Sequence, residues 1–575
     1  MKARRSLLSR IASTFRKEKP APKPRKPGKK EPKVRGIEAL EGRIAPATLI
    51  DASTIQYKDV GGDLVTVHFS KPLFTLGGDQ EIANNKLDDI FKFSSGTFAS
   101  DVEQDLQLID LTLVKLVDSK NPANGISFTV ETTGGTGDGS VKLGGIRATN
   151  LTLGDVVIDG DLGQIDVGAA ASKIAIKSMT IDSLYANGLT SQTPTTTAAD
   201  GLESKIVGGV KLLHVKGDLF GYFRVTDGNT IVNNDVKTTA PGNLTKAIIE
   251  GSLRGKAAVA TTSDNTGSIN VQGTIGSIEV LGTGDDANPQ GLVGGGGRNS
   301  GSIVGAKTVH SITISDSLVG GGGTSSGSIL AGSKISKVTV NDDFVGGAGA
   351  NSATIQAAAV SEILVGDSIK GGGGENSGGV TTGGVLSKLT VTNDIVGGIG
   401  GSSGGIRAAE IGKAVINGSI IGGDGSSSGV VFAESLLRFV SIGEDIDGGE
   451  GVGSAGVLTN GLLKSVIVNG GVNGDGLTGA VDATTTNGGI DLSLGAVAQG
   501  GVKAETVNGG VVVSVPRDAK ADVRATVVNG GLSVGDLPVQ TIGEQSRRRL
   551  EGKLNGGGPR IVIGAVNGGV RLAGK

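Results

Sequence analysis

The chain has 575 residues, 102 of them glycine and 14 proline, with no cysteine and no tryptophan. Glycine excess without a Gly-X-Y register excludes collagen, absent cysteine excludes disulfide staples and thiolate metal sites, and aromatics at 3% argue against a sugar-stacking face or a base-stacking platform. The net charge of −2 conceals an asymmetry: residues 1–36 hold fourteen Lys or Arg against Glu18 and Glu31, a local +12 that leaves −14 on the remainder.

Residues 1–47 read as a basic, Pro-rich, disordered leader. From Lys17 to Lys33 (KEKPAPKPRKPGKKEPK) basic residues alternate with proline, so the segment cannot bury apolar surface. Two readings stay open for it, a solvated spacer and an electrostatic arm for nucleic acid, anionic lipid or acidic wall polymer. Lys2, Arg4 and Arg5 suit the start of a signal peptide, but Arg10 interrupts the short apolar run Leu7-Leu8-Ser9-Arg10-Ile11. The arginine pair is only a faint twin-arginine echo. No stretch reaches the eighteen or so apolar residues of a membrane helix, so no transmembrane segment is expected.

Ile37-Glu38-Ala39-Leu40-Glu41-Gly42-Arg43-Ile44-Ala45-Pro46-Ala47 closes the leader. It resembles the Leu-Glu-x-Arg-Ile-Ala-Pro-Ala sorting-type motif that follows a basic leader in many large, repeat-rich bacterial surface proteins. The resemblance implies display at the cell surface or release from it. Ala45-Pro46-Ala47 also has the small-x-small pattern of a cleavage site.

Residues 48–145 are expected to form a β cap. Ile55-Gln56-Tyr57, Asp59-Val60-Gly61-Gly62-Asp63 and Leu64-Val65-Thr66-Val67-His68-Phe69 read as strand, tight turn and strand, while Leu106-Gln107-Leu108 and Leu111-Thr112-Leu113 alternate in the same way. Six of the twelve Phe fall here: Phe69, Phe74, Phe91, Phe93, Phe98 and Phe128. A cap over an exposed repeat end needs such an irregular core. An independent small β domain is the alternative.

Residues 146–480 are organised by a glycine pair at 294, 320, 346, 371, 397, 422 and 448, in steps of 25 or 26. So constant a period makes one repeat one structural unit stacked on the next. Each unit has an apolar patch such as Gly301-Ser302-Ile303 or Gly327-Ser328-Ile329. A second patch alternates with period two, as in Lys337-Val338-Thr339-Val340-Asn341-Asp342-Asp343-Phe344-Val345. Two or three short strands with corners in about 26 residues predict an all-β fold, a parallel β-helix or β-solenoid, with glycine supplying left-handed corners. Gly371-Gly372-Gly373-Gly374-Glu375-Asn376-Ser377-Gly378 is neither a nine-residue calcium repeat nor a phosphate loop, lacking the period of the first and the Gly-Lys-Ser/Thr end of the second. A solvated ridge of Ser, Asn and Gly is expected.

Residues 481–575 change wording to Asn-Gly-Gly at 487–489, 508–510, 529–531 and 567–569, spaced 21, 21 and 38 apart. With Arg549-Leu550-Glu551-Gly552-Lys553-Leu554-Asn555-Gly556-Gly557-Gly558, this section resembles a bacterial adhesin-like β-solenoid family of unknown function. The resemblance implies shorter solenoid coils and an assigned adhesive role, with no catalytic residues to carry over.

A catalytic β-helix would gather Asp, Arg, His or Lys on neighbouring coils. The three histidines, His68, His214 and His310, each sit in or beside a strand pattern. Asp342 and Asp343 are adjacent, so they face opposite sides of a strand, and Asp343 recurs as Asp394 in another unit. No residue is assigned a catalytic, cofactor-binding or metal role. The expected function is a non-catalytic spacer or adhesin, secreted or at the cell surface, whose partners are a cell-wall or extracellular polymer or other surface proteins and no specific small molecule. The alternatives are a polysaccharide-active β-helix enzyme and an intracellular protein gripping nucleic acid through residues 1–36, the latter disfavoured.

Overall fold

The computed structural model describes residues 47–74, 87–94, 103–186, 203–232, 235–256, 264–282, 291–477, 481–542 and 546–575. The chain divides into two units, Met1–Arg43 and Ile44–Lys575, of which the second is compact. The leader, its sorting-type motif up to Pro46, and Phe98 lie outside the described residues. The second unit is all-β with long parallel sheets, an arrangement compatible with a β-solenoid.

Each central repeat contributes strand segments to three faces. On the first, Ile303, Ile329, Ile355, Val380, Ile406 and Val431 pair in succession. On the second the succession is Ile312, Val338, Ile363, Leu389, Ala414 and Val440. On the third it is Leu318, Phe344, Ile369, Ile395, Ile420 and Ile446. All these pairings are parallel, and all eighteen side chains are buried. Alternation along each strand sends one side chain inward and the next outward, so the period-two patches become continuous internal columns. Each large aliphatic residue contributes roughly 1.5–3 kcal/mol by burial.

The repeated glycine pair acts by a different means from the one expected. None of its members has a positive φ. Successive turns instead approach so closely that no side chain fits. A Cβ on Gly320 would stand 2.6 Å from Gly347 N, and one on Gly346 would stand 2.6 Å from Gly372 N. The left-handed positions come later in the same turn: Asn299, Ser325, Asn351, Asn376, Ser402 and Ser427 at φ of 51–59°, and the expected left-handed glycines at Gly301, Gly327, Gly378, Gly404 and Gly429 at φ of 59–66°. Asparagine tolerates that region better than most side chains.

The N-terminal part contains antiparallel pairing. Thr48–Asp51, Thr54–Lys58, Asp63–Phe69 and Ile126–Gly135 follow one another in an antiparallel order. Phe69 packs against Phe74, Phe91 and Phe128, with ring centroids 5.4–6.3 Å apart, and Tyr57 meets Phe93 edge-on at 5.2 Å. Parallel pairing already reaches Ile109 and Ile126, which partner Ile146 and Leu153. Leu111–Leu113, expected to alternate as a strand, is a 3₁₀ turn. The Asp110 carboxylate accepts from Thr112 N at 3.1 Å and caps it.

The C-terminal strands do not stack in chain order. Val502–Asn508 pairs with Arg560–Asn567, which pairs on its other side with Ala521–Asn529. Likewise Val570–Gly574 lies between Val511–Val515 and Leu532–Val534. Arg549–Leu554 and Val539–Thr541 then cover the outer edge of Ala521–Asn529 with antiparallel strands. The odd 38-residue spacing of the last Asn-Gly-Gly arises because Asn567 stands between Asn508 and Asn529.

Candidate functional site

The most regular constellation in the molecule is the turn that follows the glycine pair. Its seventh residue is always serine: Ser300, Ser326, Ser352, Ser377, Ser403, Ser428 and Ser454. Every one is buried, so each hydroxyl needs partners within the protein. Ser326 Oγ accepts from Gly321 N at 3.0 Å and donates to Gly323 O at 2.8 Å. Ser300, Ser377 and Ser403 repeat both bonds within 0.1 Å. The backbone then links turn to turn, with Ser325 N donating to Ala350 O and Gly327 N to Ser300 O. A pre-set hydroxyl thus closes a loop that has no side chains of its own to pack.

This corrects the expected solvated ridge of Ser, Asn and Gly. The conserved serine points inward, and the outward positions are the third and fifth of the turn, which vary. They include Gly322 and Thr324 in one repeat, Gly373 and Glu375 in another, then Asp424 and Ser426. Ile399 and Val452 also stand there, 71% and 81% exposed. Sequence reasoning missed the internal serine although a signal existed: it is the one non-glycine position of the turn that never changes.

The acidic residues singled out from sequence serve the stack. Asp343 accepts from Ser368 N at 3.3 Å and pairs with Lys370 Nζ at 2.5 Å, both on the next repeat. Asp342 accepts from Ser317 Oγ at 2.8 Å on the previous one. Asp394 and Asp445 accept from Ser419 N at 2.7 Å and Gly471 N at 2.6 Å. Carboxylates already committed to backbone amides of a neighbouring repeat are braces between repeats. On the second face Glu362 lies between Lys388 at 2.7 Å and Lys337 at 3.8 Å. The hydrogen bond from Lys388 chiefly holds its carboxyl below the usual range.

The three histidines are not brought together. His68 Nδ1 lies 3.0 Å from Thr54 Oγ1, His214 Nε2 lies 2.7 Å from Glu250 Oε1, and His310 is exposed on a separate strand. A cavity of about 710 Å³ opens along the first face, beside Val304, Leu330, Gln356 and Thr381 from successive repeats, and its lining carries one ionisable side chain, Glu434. A single carboxyl there does not make the acid–base pair that glycosidic cleavage uses. Lys256 stacks over the Tyr185 ring at 4.4 Å, and burial pushes its ammonium below the usual lysine range. Among the described residues, no group of three or more His, Asp or Glu is placed to hold a metal ion, and no helix is long and apolar enough to cross a membrane.

Comparison with protein-family models, with curated proteins and with solved structures gave no match.

Proposed function

We propose that the chain is a parallel β-helix serving as a non-catalytic spacer or adhesin, secreted or held at the cell surface. One observation carries this reading. From repeat to repeat the inward-facing serine and aliphatic columns are kept, as is the glycine pair against which the next turn packs, while the outward third and fifth positions of the turn vary freely. A scaffold under constraint with an unconstrained outer surface suits a stiff element that holds distance. Varied turns favour the spacer over an adhesin that repeats one identical site, since multivalent binding needs equivalent contacts on successive units. The resemblance of Leu40–Ala47 to the sorting-type motif supports surface placement, and cell-wall or extracellular polymers or other surface proteins are the proposed partners.

Cell fractionation combined with N-terminal sequencing tests the placement. The chain is expected in the envelope or medium, and recovery solely from the cytosol would overturn the reading. Incubation with pectins and other acidic glycans tests the absence of catalysis; release of oligosaccharides would instead establish the polysaccharide-active alternative.

A further inference from the structure

The last strand pair of the chain fills a slot whose two walls are made earlier in the sequence. In one layer Ile561 sits between Val502 and Val523, Ile563 between Ala504 and Ala525, and Asn567 between Asn508 and Asn529. In the next, Val570 sits between Val511 and Leu532, and Leu572 between Val513 and Val534. Ile561, Ile563, Ala565, Val570 and Leu572 are all buried. Taking residues 560–575 away would leave two facing strand edges about 10 Å apart, twice the strand spacing, with their N–H and C=O groups unpaired.

We propose that this slot is a strand-accepting site and that residues 560–575 of a second copy of the chain enter it, joining two molecules by exchanged strands. Two features support this. The filler is tethered by Asn555-Gly556-Gly557-Gly558-Pro559, in which Gly556 and Gly557 both have φ +90°. Such a linker can redirect the strand at little steric cost. Finally, every bond the filler makes to the walls is the same whether it arrives from its own chain or another, the condition under which exchange is inexpensive.

The slot also specifies its occupant. The entering strand must carry asparagine at the rung where Asn567 donates to Asn508 Oδ1 at 2.8 Å and accepts from Asn529 Nδ2 at 2.9 Å. It must carry glycine next, because a Cβ on Gly568 would collide with Gly509 O. Alternating aliphatic residues must flank these. An Asn-Gly-Gly strand of this kind, on a glycine-rich linker, is what another copy supplies.

The full chain has no cysteine, so Val507→Cys and Val566→Cys, exposed residues beside the paired Asn508 and Asn567, each introduce a single thiol and leave the asparagine rung intact. The two variants are mixed, unfolded, refolded together at high concentration and oxidised. Exchange predicts a disulfide-linked heterodimer, several-fold more abundant than when Val566→Cys is mixed with Thr324→Cys, an exposed turn position far from the slot in sequence. Heterodimer no more abundant than this control overturns the proposal. A second readout needs no cysteine: the unaltered chain, refolded at the same concentration and followed by sedimentation velocity, must yield a dimer fraction that grows with concentration. A monomer at every concentration overturns it equally.

Discussion

Asn567 donates its Nδ2 to Asn508 Oδ1 at 2.8 Å, although 59 residues separate them, and Asn529 donates to Asn567 at 2.9 Å from the other side. With Asn508 donating to Asn487 at 2.8 Å, the ladder runs 487, 508, 567, 529. Asn567 is therefore an interior rung with two side-chain bonds, and Asn529 is a terminal rung with one. A net bond is worth about 0.5–1.5 kcal/mol, so Asn567→Ala should cost about twice as much as Asn529→Ala by urea unfolding. Stacking in chain order would reverse the ranking.

The glycine pair and the glycine that follows it should respond oppositely to one methyl group. A Cβ at Gly320 meets Gly347 N at 2.6 Å and Ser352 Oγ at 2.8 Å, whereas one at Gly322 meets nothing within 4 Å. Gly320→Ala is expected to lower thermal stability clearly. Gly322→Ala should be neutral or stabilising by about 0.4–1 kcal/mol, because it restricts the unfolded chain. Equal losses at both positions would contradict the close-approach account.

The buried serine should matter where its exposed neighbour does not. Ser326→Ala removes the acceptor for Gly321 N and the donor to Gly323 O, leaving a half-buried amide without its partner at a cost of about 1–3 kcal/mol. Thr324→Ala, two residues away and exposed, should change stability by less than about 0.5 kcal/mol. Parallel denaturation curves of the two variants make the comparison.

Asp59 gives a pH signature. Burial, then the like charges of Asp63 and Asp105, raise its carboxyl above the ordinary 3.8, against the pull of a hydrogen bond from Asp63 N. Its Oδ2 is buried with no hydrogen-bond partner. The folded state thus holds this proton more tightly than the unfolded chain does. Its contribution is fully favourable below the unfolded value and is lost as pH rises through the raised folded value. Asp59→Asn keeps an oxygen for Asp63 N, so the variant should be more stable than the parent at pH 7, with the gap closing towards pH 3. A gap independent of pH would point to packing instead.

Much of the architecture was legible because its cause is periodic. Val338, Ile363 and Leu389 fall one repeat apart and alternate with polar neighbours, which dictates both the strand and its stacking. Other features come from contacts that a period does not encode. Gly320 and Gly346 looked like corner residues, and only the approach of the next backbone reveals their role. The order of the last rungs was hidden because Asn487, Asn508, Asn529 and Asn567 carry the same local wording, so any order satisfies the same hydrogen bonds. What settles it is the 549–554 strand occupying the outer edge of 521–529. The three histidines, read from sequence as ordinary residues in or beside strands, stand on separate strands, whereas the bracing by Asp343 and Asp394 needed the neighbouring repeat to be seen.

The central claim is that repeats stack in parallel, in register, one strand spacing apart. Lys246, Ser277, Ser311, Lys337, Glu362, Lys388 and Lys413 form one column on the second face, six steps long. Nitroxides attached at Lys246→Cys and Lys413→Cys in this cysteine-free chain, read by double electron–electron resonance, measure it directly. Six strand spacings predict a single distance near 29 Å for positions 167 residues apart. A broad distribution, or a distance centred beyond about 45 Å, would mean that the repeats do not share one ladder.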